Sequence, residues 1–258
     1  MTEIKTIVYF DLEATGLKCF GRPRITELSL VAMNIQDLPN LHAMILNHLK
    51  TNKPGDKVFQ LESLLPRVLN KLTLCVYPMA TVMPDVASIT SLDNYNLSGQ
   101  AKFDKNTGEM LNIFLTRLPS PVCIVAHNGD LYDFPLFKAE LEKAGTKLES
   151  QILCVDSYLG LREIFKQREN NCLVENTKIN FSTPPSFSLI NLHKHLLGSP
   201  PTISHGSEAD CFALLRITAV IGKDWLDWVK NNCYCFTECR KMWLMDTLGN
   251  SRNKQLLE

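Results

Sequence analysis

The sequence carries no net charge, because its 258 residues include 27 Lys+Arg and 27 Asp+Glu. It has neither a basic tail of the kind that wraps a duplex nor an acidic tail that solubilises a chain. A nucleic-acid partner would therefore have to be bound at a local site rather than by attraction of the whole molecule. Because 45% of the residues are hydrophobic, the chain can bury a sizeable core, which excludes wholesale disorder.

Long hydrophobic runs are also missing. The longest apolar stretch, residues 211–222, is interrupted by Arg216 and is shorter than the ~20 residues that span a bilayer. The first six residues include Glu3 and Lys5, so we do not expect a signal peptide. These features predict a protein without a membrane partner, and the length suits a single α/β domain.

A disulfide framework is absent as well, since the nine cysteines are an odd number without regular spacing. This usage predicts a reducing compartment, the cytoplasm and/or the nucleus. Cys233, Cys235 and Cys239 cluster near the end of the sequence, where they could form a zinc corner. Their C-x-C-x₃-C spacing has no second half and no nearby histidine, which favours inert thiols. A zinc-binding interaction protein stays open as an alternative.

Hydrophobic periodicity predicts an α/β fold. Short β-branched or alternating runs predict strands at residues 4–10, 25–35, 71–77, 121–126 and 151–155. Amphipathic spacing predicts helices at residues 106–118, 135–145, 157–167, 188–197 and 208–221. Residues 37–60 and 168–186 show no sustained hydrophobic period and are predicted to be loops. Residues 223–258 are predicted to form a helical tail. We therefore predict one domain over residues 1–258, with a core at about 4–221 and a mixed sheet flanked by helices.

Two acidic residues, Asp11 and Glu13, end the first predicted strand. Residues two apart in a strand point to the same face of a sheet, where two carboxylates repel unless a cation joins them. A solvated strand end is the simpler alternative. Asp133 and Asp210 stand at predicted helix starts, where acidic residues are common for reasons unrelated to function.

Taken together, these four carboxylates could surround hard divalent cations. Mg²⁺ prefers oxygen ligands, and two such ions can activate a water and stabilise the leaving oxygen in an in-line displacement. That chemistry needs a base, and His205 stands five residues before Asp210. A lone histidine is usually structural or merely exposed, but beside this set of acids we favour the catalytic interpretation.

Three segments resemble the motifs of the DEDDh 3′–5′ exonucleases, in the same order. They are FDLEATGL at residues 10–17, AHNGDLYDFP at 126–135 and HGSEAD at 205–210. The second motif, together with LNKLTLC at 69–75 and ASIT at 87–90, is most similar to the three-prime repair exonuclease (TREX) family. The resemblance covers roughly residues 4–221. Ser91 departs from the pattern, because the family has glycine there.

The resemblance implies an RNase H-like fold with a mixed five-stranded sheet, and a homodimer. By motif position, it implies that two Mg²⁺ ions, which Mn²⁺ can replace, are bound by Asp11, Glu13, Asp133 and Asp210. His205 would be the general base. The terminal nucleotide would be bound by Glu13, Ala14, Leu17, Ile89, Tyr132 and His205. Leu17 and Ile89 are apolar and can wedge against the last bases.

We therefore predict a hydrolase of the DNA-repair type. It would be a metal-dependent 3′–5′ exodeoxyribonuclease that releases 5′-mononucleotides from single-stranded or frayed DNA 3′ ends by two-metal-ion hydrolysis. An RNA-trimming DEDDh exonuclease is an alternative, because discrimination of the sugar depends on contacts to the 2′ position. A non-catalytic module that binds 3′ ends is another, although it would have no physical reason to keep four charges crowded together.

Overall fold

The computed structural model describes residues 3–17, 21–51, 63–149, 151–171, 181–201 and 205–242. Its strands are β1 (Thr6–Ala14), β2 (Ile25–Asn34), β3 (Asn70–Cys75), β4 (Val122–Ala126), β5 (Leu153–Asp156) and β6 (Tyr234–Cys235). Its α-helices are α1 (Leu38–Thr51), α2 (Pro84–Thr90), α3 (Lys105–Thr116), α4 (Asp133–Lys143), α5 (Ser157–Asn171), α6 (Leu189–Leu197), α7 (Ser207–Ile221) and α8 (Lys223–Asn232). Short 3₁₀ turns occupy Ile35–Asp37 and Phe236–Glu238.

The strands form one mixed sheet in the order β3-β2-β1-β4-β5-β6. β1 pairs antiparallel with β2 and parallel with β4, so it lies in the middle of the sheet. The predicted α/β fold with a mixed, helix-flanked sheet is confirmed. The predicted number of five strands is wrong, since the described part of the chain forms six. The extra strand, β6, has two residues, which is too short to show a hydrophobic period.

Alternation along β1 divides the core into two layers. Ile7 and Tyr9 point into a layer that includes residues of α1, α5, α6, α7 and α8, whereas Val8 and Phe10 point into a layer with residues of α3 and α4. Asp11 and Glu13 continue the series of Ile7 and Tyr9, so they emerge on the same face as α7.

The predicted loop over residues 37–60 is wrong for its first part, because residues 38–51 form α1. Leu38, Leu41 and Ile45 lie on one face of this helix and are at most 1% exposed. Pro39 obscured the pattern, yet proline is tolerated in the first turn of a helix. Residues 52–60 lie outside the described residues.

The predicted loop at residues 168–186 and the predicted helical tail both differ in part from expectation. Helix α5 continues to residue 171, into the predicted loop at 168–186, of which residues 172–180 lie outside the described residues. The predicted helical tail at 223–258 begins with α8, but β6 and a 3₁₀ turn follow, and residues 243–258 lie outside the described residues. Within the described part of the chain, no helix is long and apolar enough to cross a membrane.

Candidate active site

The carboxylates at the end of β1 meet the first turn of α7. Asp11, Glu13 and Asp210 each offer one carboxylate oxygen, and these oxygens all lie within 4.8 Å of one another. Such an all-oxygen set suits a hard cation such as Mg²⁺. The structure therefore brings together three of the four predicted metal ligands from two elements far apart in the sequence.

The fourth predicted ligand, Asp133, is the first residue of α4 and is only 6% exposed. Its charge contributes to the raised pKa of Asp11, and the charge of Glu13 contributes to its own raised pKa, so Asp133 lies near these two acids. Hydrogen bonds from its own backbone N–H and from that of Leu12 lower the pKa of Asp133, although burial outweighs them.

Burial raises the pKa of each of the four acids, and repulsion by neighbouring carboxylates adds to this at Asp11, Glu13 and Asp133. Burial raises the pKa of Asp11 well above its usual value, and the charges of Asp133, Asp210 and Glu13 add to this. Burial, followed by the charges of Asp210 and Glu27, raises the pKa of Glu13 to about 7. Burial also raises the pKa of Asp210 and, as the largest cause, that of Asp133 to about 8. A cluster that resists ionisation in this way favours a bound cation.

His205 lies at the rim of this cluster. Its side chain is exposed, and its backbone is in the left-handed region, with φ 61°. Its backbone N–H donates to Asp210 Oδ2 over 3.3 Å. The turn therefore ties His205 to one of the predicted ligands, and its role as general base stays a prediction.

Asp156 is a site residue that sequence reasoning missed. It ends β5, is 3% exposed, and accepts hydrogen bonds from the backbone N–H groups of Asn128 (3.0 Å), Asp130 (3.2 Å) and Tyr158 (2.8 Å). The bonds from Asn128 and Asp130 hold the turn that precedes Asp133. An acid at the end of an apolar strand, the same signal that marked Asp11 and Glu13, could have identified it.

Gly129 lies in this turn because there is no room for a side chain. A Cβ atom there would lie 2.7 Å from the Ala126 Cβ and 2.8 Å from Phe134 Cε2. The neighbouring His127 has a structural role: its Nδ1 lies 3.0 Å from Ser157 Oγ and its Nε2 lies 2.8 Å from the Phe187 carbonyl oxygen.

A cleft of about 370 Å³ adjoins the carboxylates. It is lined by Leu12, Glu13, Ala14, Gly16, Leu17, Met83, Asp85, Val86, Ile89, Thr90 and Tyr132. Of the predicted nucleotide-binding residues, only His205 lies outside this lining. Leu17 and Ile89 are 59% and 55% exposed, unusual for large apolar side chains, and the Tyr132 hydroxyl donates to the Gly16 carbonyl over 2.7 Å.

Two further features of this cleft concern residues near Ile89. Met83, which the sequence did not single out, lines the cleft and donates its backbone N–H to the Thr15 carbonyl over 3.1 Å. Ser91 ends α2 in the left-handed conformation, with φ 60°, and its N–H donates to the Ala87 carbonyl. Glycine adopts the left-handed conformation at no steric cost, which is a physical reason to expect glycine rather than serine at position 91.

The three clustered cysteines do not converge on one another. Cys239 Sγ lies 3.4 Å from Cys154 Sγ in the core, and a hydrogen bond with Cys123 lowers the pKa of Cys233 to about 7. Among the described residues, the acidic set at Asp11 is the only group of three or more potential ligands close enough to share a metal. This arrangement favours thiol contacts over a zinc corner.

The fold resembles that of exonuclease I. A complex of exonuclease I from E. coli with single-stranded DNA superimposes with a TM-score of 0.59 at 14% identity, covering 89% of this chain and 43% of that chain. A complex with a dT13 oligonucleotide gives 0.60, covering 88% and 43%. The chain thus spans less than half the length of exonuclease I, and the likeness establishes the fold. No family model matches the chain.

Curated relatives are more similar in sequence. Bovine three-prime repair exonuclease 1 is 35% identical over 249 residues, covering 95% of this chain and 72% of the relative. Mouse three prime repair exonuclease 2 is 31% identical over 242 residues, covering 93% of both chains. The chain therefore belongs to the three-prime repair exonuclease family, and its enzyme class is that of a 3′–5′ exonuclease.

The raised pKa of Asp133 predicts how the metal-free protein responds to pH. An aspartate in the unfolded chain titrates near ~3.9, so between that value and about 8 the folded protein binds more protons, and stability falls as pH rises. Asp133→Asn removes this charge and should stabilise the metal-free protein at pH ~8 by about 1–3 kcal/mol, with a smaller gain near pH ~5.

Urea unfolding in excess chelator at both pH values measures this difference. Glu109→Gln, which changes an exposed carboxylate on α3, is the matched control and should leave the pH dependence unaltered. A gain from Asp133→Asn that is the same at both pH values would contradict the assignment of Asp133 as a buried, repelled charge.

Proposed function

We propose that this protein hydrolyses DNA from its 3′ ends in a metal-dependent reaction, releasing 5′-mononucleotides from single-stranded or frayed ends. The observation that carries the proposal is the position of Glu13, which belongs both to the carboxylate cluster and to the lining of the cleft. A nucleotide seated in that cleft would have its phosphate beside the acids. Binding and chemistry therefore share one residue.

The carboxylates fit a divalent metal by their chemistry. They are oxygen donors, and oxygens of Asp11, Glu13 and Asp210 lie within 4.8 Å of one another. Burial raises the pKa of all four acids, Asp133 included. Asp11, Glu13, Asp133 and Asp210 would bind two Mg²⁺ ions, or Mn²⁺ in their place. When bound, such ions supply an activated water and charge stabilisation for the leaving oxygen.

The remaining steps belong to side chains of the cleft and its rim. Leu17 and Ile89 present exposed apolar surface that can wedge against the terminal bases. Tyr132 lines the cleft, and its hydroxyl is hydrogen-bonded to the Gly16 carbonyl in the loop after β1. His205, in its neutral form, would accept the proton of the attacking water.

The relatives support this choice of substrate. Those relatives are named three-prime repair exonucleases, and the structural neighbour exonuclease I is bound to single-stranded DNA in its complexes. A 3′ end of single-stranded DNA is therefore the substrate that we propose. The same cleft chemistry would accept RNA unless contacts at the 2′ position exclude it, so the test below includes RNA.

Metal dependence is the first prediction of this proposal. Asp11→Ala should lower turnover by about 10³-fold or more, because Asp11 lies at the centre of the cluster and its loss disables the whole site. Excess chelator should do the same to the wild type, and Mg²⁺ or Mn²⁺ should restore activity. Ca²⁺, which is larger and less strict in geometry, should support DNA binding better than hydrolysis.

Digestion of matched, labelled DNA and RNA strands, with metal and with chelator, measures these effects. Circular dichroism should show that Asp11→Ala is folded. Full activity in excess chelator would exclude metal-dependent hydrolysis. Faster degradation of RNA than of DNA would favour the RNA-trimming alternative, and metal-dependent binding without cleavage would favour a non-catalytic module.

A second prediction concerns His205. His205→Ala should lower kcat by about 10²–10⁴-fold, the usual scale for general-base catalysis. Affinity for DNA, measured with Ca²⁺ in place of Mg²⁺, should change little because Leu17 and Ile89 remain. Single-turnover cleavage compares the wild type with this variant, and His48→Ala on α1 is the matched histidine control. A His205→Ala enzyme with nearly full rate would show that His205 is not the base.

We also propose that the protein is a homodimer. Strand β3 forms one edge of the sheet, and its alternate residues are exposed. An edge strand presents unpaired backbone groups that a second copy can pair with. Light scattering should give about twice the chain mass of 29.2 kDa at micromolar concentration. A mass that stays at that of one chain at every salt concentration would contradict the homodimer.

A further inference from the structure

Glu27 is a carboxylate inside a strand whose neighbours are buried. It stands on β2 between Thr26 (1% exposed) and Leu28 (0% exposed), and it pairs in register with Glu13 across the β1–β2 ladder. Two carboxylates opposite each other on a sheet repel. A charge in such a place requires polar partners. Within the sheet, Cys75 on β3 donates its Sγ–H to Glu27 Oε1 over 3.7 Å, and a second, closer partner lies outside the sheet.

That partner is Ser207, the first residue of α7. Glu27 Oε2 accepts two hydrogen bonds from it, one from the backbone N–H at 2.8 Å and one from the hydroxyl at 2.6 Å. The residue before it, Gly206, has no side chain to cap the helix. Glu27 therefore caps α7 from a neighbouring strand, and a carboxylate also suits the positive end of the helix dipole.

The capped residue stands between the two functional residues of the third motif. Ser207 follows His205 by two residues and precedes Asp210 by three, and it is 0% exposed. The Asp210 N–H donates to the Gly206 carbonyl over 3.0 Å, so the cap and the ligand belong to one turn. A fixed Ser207 therefore also fixes the direction in which the Asp210 side chain projects from the helix.

We infer that Glu27 is a positioning residue for the metal site. By binding Ser207, it holds the first turn of α7 so that Asp210 meets Asp11 and Glu13. The inference deepens the proposed function and rests on it for its activity readout, whereas binding of metal to the DNA-free protein tests it separately.

Two variants distinguish a hydrogen-bonding role of Glu27 from an effect of its charge. Both bonds from Ser207 converge on a single oxygen, so the amide oxygen of Glu27→Gln can accept both, although the charge is lost. Glu27→Ala removes the bonds and the charge together. Glu208→Ala is the matched control, because Glu208 is also in the first turn of α7 but forms an exposed ion pair with Lys71.

The experiment measures Mn²⁺ affinity by calorimetry without DNA, and kcat and KM on a single-stranded DNA oligonucleotide. Glu27→Ala should weaken Mn²⁺ binding by about 10-fold or more, the usual loss when a group that orients a metal ligand is removed. Its kcat should fall while KM stays near that of the wild type, because Leu17 and Ile89 lie on other elements. Glu27→Gln and Glu208→Ala should stay within about threefold of the wild type in each quantity.

Should Glu27→Ala fail to fold, Ser207→Ala replaces it and should weaken Mn²⁺ binding severalfold. It removes the hydroxyl bond to Glu27 and also the contact of that hydroxyl with Ser29 Oγ at 2.6 Å, so Ser29→Ala, which keeps the bond to Glu27, is its control. The inference is overturned if Glu27→Gln is as defective as the alanine variant, since the charge would then be what matters. It is also overturned if the alanine variant binds Mn²⁺ normally, or if the wild type binds none. A wild type that binds Mn²⁺ without degrading DNA contradicts the proposed function alone.

Discussion

Repulsion among buried carboxylates is the constraint around which the site is built. Burial is the largest cause of the raised pKa of Asp11, Glu13, Asp133 and Asp210 alike. Backbone N–H donors hold two of these groups, since His205 donates to Asp210 and Leu12 donates to Asp133. A neutral donor fixes the position of a carboxylate without cancelling its charge, so the negative potential stays available for a cation.

Other charged residues form ion pairs away from the acidic cluster. Arg24 pairs with the buried Glu140, and Arg168 pairs with Asp224. A net charge of zero therefore conceals a segregated distribution in which the end of β1 is acidic. Zero net charge also agrees with the proposed substrate being bound at only a few phosphates, because each phosphate contact usually requires a Lys or Arg side chain.

Much of the site could be predicted because its motifs are local in sequence. Asp11 and Glu13 follow an apolar strand, and the His205-to-Asp210 spacing is a single turn. Glu27 could not be assigned in this way, because its partner Ser207 is 180 residues away and only the folded sheet brings them together. Helix α1 was missed for a different reason, since a proline in its first turn resembled a breaker.

The separation of elements explains how one small site can serve two tasks. Apolar surface for the proposed nucleotide site comes from the end of β1, the loop after it and α2, whereas the acids come from β1, α4 and α7. Only β1 contributes to both. Because the acids repel one another, the metal-free site destabilises the folded protein above the ordinary pKa range of carboxylates. A cation that binds only the folded state restores stability by an amount that grows with the logarithm of its affinity. Packing of α7 against β1 and β2 must therefore outweigh this repulsion before metal binds, and every residue of α7 from Ala213 to Ile221 is buried.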